Sequence, residues 1–91
     1  MYMLDTILRS QPGQRGTLVA ALESGNTDLP GNASYAIAEV VDDPDLVRVS
    51  EEWVSREAHA ASLTLPAVQD AIARARPVIA GIESRTERDA P

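Results

Sequence analysis

One side chain of this chain titrates near neutral pH when unperturbed, and it is the single histidine, His59. It follows the single tryptophan, Trp53, by six positions. Between them Ser55 is a good helix N-cap and Glu57 suits the positive end of a helix, so His59 falls one turn into a helix that must lie back over the strand ending at Trp53. From there an imidazole can take a proton from a phenol-like substrate if it faces a cavity; the plainer alternative is a solvent-facing or structural histidine. Tyr35 can offer its phenol to a substrate oxygen; its plainer reading is a half-buried strand tyrosine with its hydroxyl at the rim. Glu51, two residues before Trp53, shares the same strand face, and if that face is buried its carboxylate needs a partner: Arg9, Arg85 or a helix-end N–H. The expected role for Glu51 is a structural ion pair. Asp42, Asp43 and Asp45 are turn residues, and a calcium loop needs ligands at many more set positions.

These residues depend on a hairpin. Ser34–Val41 and Leu46–Trp53 both alternate with period two around the Asp42-Asp43-Pro44-Asp45 turn. Tyr35, Ile37, Glu39 and Val41 share one side of the first run; Val47, Val49, Glu51 and Trp53 share one side of the second. Tyr2–Arg9 is a third, imperfectly alternating strand. Pro12 fits the first turn of a helix over residues 12–24, with Leu18, Val19 and Leu22 as its apolar face and Gly25-Asn26 as its end. Residues 26–33 form a loop. The helix after Trp53 is broken at Pro66, which starts another with Val68, Ile72 and Ala75 as its stripe, stopped by Pro77. Val78–Arg88 is the last strand, with Gly81 as its bulge or bend. The order β-α-β-β-α-α-β predicts one α+β domain over residues 1–91: an antiparallel four-stranded sheet of the ferredoxin-like type with helices on one face.

A chain of 91 residues buries a thin core, and a second copy over the open sheet face would thicken it. The 14 acidic against 8 basic residues argue against nucleic-acid and anionic-membrane partners. No cysteine and one histidine argue against a zinc site of His and Cys ligands within one chain and leave no thiol nucleophile. No apolar run is long enough to span a membrane, and the N-terminus lacks the pattern of a signal peptide, so the expected location is the cytoplasm. No Gly-rich phosphate loop or haem ligand pair is present, so no cofactor is expected.

Tyr35, Asp43-Pro44, Glu52-Trp53, the run Ser55-Arg56-Glu57-Ala58-His59-Ala60 and Pro66 resemble, in order and spacing, the antibiotic biosynthesis monooxygenase family, over roughly residues 2–88. That resemblance implies a dimeric α/β barrel, a homodimer of ferredoxin-like units, and a pocket between sheet and helices lined by the tryptophan at position 53. Ser50 and Ser62 occupy positions where many members carry a larger residue and a histidine, and they are counted with Trp53 as substrate-binding residues. Strand one has no Asn and position 63 is Leu, which speaks against the haem-degrading branch.

The leading expectation is a cofactor-independent monooxygenase acting on a small phenolic or quinol aromatic substrate with O2, with His59 and Tyr35 catalytic. The alternative is a non-catalytic small-molecule-binding or structural dimer of the same fold. Haem-binding and isomerase members are further alternatives.

Overall fold

The structure is a computed structural model that describes residues 1–91. Its elements run β1 (Tyr2–Ser10), α1 (Arg15–Glu23), β2 (Asn32–Glu39), β3 (Leu46–Trp53), α2 (Arg56–Ser62), α3 (Pro66–Ala75), a 3-10 turn (Arg76–Val78) and β4 (Ile79–Asp89). The four strands form one antiparallel sheet in the order β2-β3-β1-β4. This is the expected ferredoxin-like α+β unit. No helix is long and apolar enough to cross a membrane.

Alternation decides which face is covered. Leu8, Val47 and Val49 point to the helices and pack with Leu18 and Ala21 of α1 and Ala75 of α3. Tyr2, Leu4 and Trp53 form a second, smaller cluster on the same face, closed by Leu29 and Ala58. The opposite face carries Asp5 at its centre, whose carboxylate accepts hydrogen bonds from Ser50 at 2.7 Å, Arg88 at 2.9 Å and Arg48 at 3.2 Å. The Ser50 hydroxyl and then the two guanidiniums hold the Asp5 carboxyl below the usual carboxylate range.

Two elements have boundaries that differ from the sequence reading, each set by a contact with a residue distant in the chain. Pro12 lies outside α1, because Gly13 adopts φ 73° and its N–H donates to the Asp45 carboxylate at 3.2 Å. That left-handed backbone cannot belong to a helix. β2 begins two residues early, at Asn32, and stops before Val40, whose carbonyl accepts from Arg15 at 3.1 Å; Val41 is exposed. In β4 Gly81 pairs with Arg9, and the register shifts fall on either side of it. The Ser55 cap does form: its Oγ accepts from the Ala58 N–H at 3.1 Å.

The loop before β2 is pinned to α2. Gly31 has φ 78°, its carbonyl accepts from the Val54 N–H at 2.8 Å, and a Cβ on it would lie 2.7 Å from the Ala58 Cβ. Gly13 shares the left-handed backbone but faces open space. Both Gly→Ala variants therefore cost about 1–2 kcal/mol of backbone strain. Gly31→Ala adds a clash with α2, so denaturant unfolding is expected to show it as clearly the more destabilised of the two.

Candidate active site

Between the sheet and the helices lies a cavity of about 360 Å³, a small-molecule size. Leu22, Leu29, Val68, Ile72 and Ile79 supply apolar wall, and four functional side chains enter it: Tyr35, Glu51, Trp53 and His59. Their placement follows from the local sequence. Tyr35 and Glu51 are directly opposed across the β2–β3 ladder, so their side chains share a face. Glu51 and Trp53 share that face because they are two apart on one strand. The Ser55 cap then turns the chain into α2, which brings His59 back over Trp53.

The Trp53 ring is 1% exposed, and its Nε1–H donates to Glu51 Oε1 at 3.1 Å. The tryptophan N–H therefore points neither at a backbone carbonyl nor at a free ligand position. His59 stands edge-on to Trp53, ring centroids 5.3 Å apart, and 5.7 Å from the ring of Tyr2. Its Nε2 is 3.9 Å from Glu51 Oε1, too far for a hydrogen bond. Burial, followed by the Arg85 charge, pushes the His59 imidazole below its ordinary 6.5, with Glu87 opposing. The ring is therefore neutral at pH 7, the state a proton acceptor requires.

Burial raises the carboxyl of Glu51, and the hydrogen bond from Trp53 offsets part of that rise. Burial, with the neighbouring Glu51 charge, pushes the Tyr35 phenol well above 10, so the hydroxyl keeps its proton and acts as a donor.

Ser62 also reaches the cavity wall, but its hydroxyl donates to the His59 carbonyl at 2.6 Å, inside the last turn of α2. Only its lone pairs are left for a ligand. Ser50 is on the wrong face for substrate binding. Alternation along β3 sends it to the open side of the sheet, where its hydroxyl is bound to Asp5. The ion pair expected for Glu51 with Arg9 or Arg85 is replaced by the Trp53 hydrogen bond. Arg9 instead pairs with Glu83 and Asp43, and Arg85 with Glu87. Glu51 is thus a cavity residue and not a structural ion pair; its signal in the sequence is the Glu-x-Trp spacing, which on a strand places acid and indole on one face.

The profile of the family described as antibiotic biosynthesis monooxygenase matches residues 1–74. The chain belongs to this family. A candidate antibiotic biosynthesis monooxygenase from Chloroflexus aurantiacus is 44% identical, with a TM-score of 0.96 over 99% of this chain and 92% of that one. A second candidate member, from Nitrosomonas europaea, is 19% identical with a TM-score of 0.81, over 97% and 94%. SnoaB, a cofactor-independent oxygenase from Streptomyces nogalater, shares the fold at 13% identity and a TM-score of 0.79, over 99% and 92%. No curated protein matches the chain.

The burial of His59 has a consequence for stability. Its folded-state pKa lies below the unfolded value, so the native state binds that proton less readily than the unfolded chain. The contribution is present above the unfolded value and is lost as the pH falls towards the depressed folded one. Melting temperature is expected to drop more between about pH 7 and about pH 5 in the unmodified protein than in His59→Gln, which has no such group. Equal slopes would show that the imidazole charges in place at no cost.

Proposed function

We propose that this protein is a cofactor-independent oxygenase of small phenolic or quinol rings. One observation carries the reading: a proton acceptor (His59), a proton-retaining donor (Tyr35) and a large ring (Trp53) converge on one apolar cavity. An electron-rich aromatic ring fits against Trp53 and the aliphatic wall, and the Tyr35 hydroxyl donates to one of its oxygens. His59 takes the proton of a ring hydroxyl, leaving the electron pair on the oxygen. The resulting anion is electron-rich enough to reduce O2 itself. For a quinol the balance is one quinol plus one O2 giving one hydroxyquinone plus one water. The two electrons beyond those of oxygen insertion come from the quinol-to-quinone oxidation. The family to which the chain belongs supports this reaction class. The substrate class rests on the cavity's chemistry.

Met3 and Ile7 are half-buried on the open sheet face without any covering element. A homodimer, sheet on sheet, is the assembly that supports this thin core best. A monomer mass in sedimentation at micromolar concentration would remove that part of the proposal.

Oxygen uptake with 1,4-naphthohydroquinone and no added cofactor, corrected for autoxidation, tests the activity. Turnover is expected to rise with pH to a plateau, with a midpoint below the ordinary 6.5 because His59 must be neutral. His59→Ala is expected to lose about 100-fold or more, the usual loss for a general base. Trp53→Ala is expected to weaken ligand binding by about 1–3 kcal/mol, with unfolding measured alongside because Trp53 is also core. A folded protein that binds the quinol anaerobically but never exceeds the buffer rate would mark a binding module instead.

A further inference from the structure

We propose that Glu51 is the charge partner of His59: a positioning residue, held by Trp53, that steadies the imidazolium formed when His59 takes a proton from bound substrate. The inference rests on the reading of His59 as the base. When the substrate O–H breaks, its electron pair stays on the oxygen and its proton goes to the imidazole. Two neutral groups become an anion and a cation inside an apolar cavity, a separation that low-dielectric surroundings oppose. A fixed negative charge beside the cation offsets that opposition.

Glu51 meets the requirements for that charge. Its carboxylate is 3.9 Å from His59 Nε2, and the side chains are 11% and 14% exposed, so bulk water screens the pair poorly. Its other claim is on the Trp53 N–H, which fixes where the carboxylate sits without neutralising it. No arginine or lysine lies within 4.0 Å of it, although the Arg85 charge acts on it from further off; His59 is the one basic side chain within that distance.

The other charged groups around the imidazole do not meet them. From β4, Glu87 is already engaged by Arg85 at 3.2 Å, Arg56 at 3.6 Å and the Tyr2 hydroxyl at 2.7 Å. Arg85 itself disfavours the imidazolium. From β1, Tyr2 faces the ring with its π-face carbons, its hydroxyl turned to Glu87. Glu51 on β3 is thus the carboxylate near His59 that no arginine or lysine contacts directly.

His59 is the single histidine, so its Cε1–H proton resonance is unambiguous and its titration can be followed without substrate. Glu51→Gln keeps an oxygen for the Trp53 N–H and removes the charge. The His59 midpoint is expected to fall by about one pH unit or more in this variant, and to rise in Arg85→Gln. In the unmodified protein the Glu51 carboxyl carbon is expected to show a second step in its 13C shift at the His59 midpoint, a result that needs no variant to fold. With 1,4-naphthohydroquinone, Glu51→Gln is expected to lower kcat about ten-fold, matching that shift, with KM little changed. An unchanged His59 midpoint in folded Glu51→Gln, or no second step at Glu51, overturns the pairing whatever the rate does. Absence of any quinol turnover in the unmodified protein would overturn the oxygenase reading, while the titrations would still decide the pair.

Discussion

The arrangement depends on a single hydrogen bond, from the Trp53 Nε1–H to the Glu51 carboxylate. A carboxylate at the wall of an apolar cavity is costly to desolvate unless something donates to it. Here the close donor is two residues away on the same strand, and the Arg85 charge acts only from further off. The consequences reach outwards. Ala58 of α2 packs against the cluster that holds the indole, and His59 lies 5.3 Å from the indole in an edge arrangement. The carboxylate is held open towards both the cavity and the imidazole. A direct salt bridge in place of that bond would stabilise the acid as well, but it would tie the carboxylate to a cation other than the His59 beside it.

The two faces of the sheet show the same problem with two solutions. On the open face Asp5 receives two guanidiniums and a hydroxyl, and its carboxyl is held low. On the covered face Glu51 receives one neutral N–H, and burial keeps its carboxyl raised. The first is a charge fully compensated, suited to holding strands together. The second is a carboxyl that no arginine or lysine contacts directly. Ser50 and Glu51 are neighbours in sequence, yet they belong to these two different systems because strand side chains alternate.

Much of this was legible in the residues themselves. Period-two alternation in residues 46–53 placed Val47, Val49, Glu51 and Trp53 on one face, and that face is the covered one. The Ser55 cap and the break at Pro66 were also readable, because both act through local backbone chemistry. What escaped was set by contacts distant in sequence. Nothing near Pro12 announces that Asp45 will take the Gly13 N–H and delay α1. Nothing near Val40 announces that Arg15 will take its carbonyl and end β2. The family position points to Ser50 as a substrate contact, whereas the alternation of β3 places it on the face opposite Trp53. The sequence points to Arg9, Arg85 or a helix-end N–H as the partner of Glu51, since buried acids usually meet cations or free N–H groups, whereas the indole two residues on takes that place.

A crystal structure of the protein with a quinol bound under anaerobic conditions tests the central claim most directly. The account predicts the ring in the cavity between sheet and helices, one face against Trp53, one hydroxyl within hydrogen-bond reach of His59 and another oxygen at the Tyr35 hydroxyl. A ring bound on the open sheet face, or one in the cavity with both oxygens turned away from His59, would contradict it.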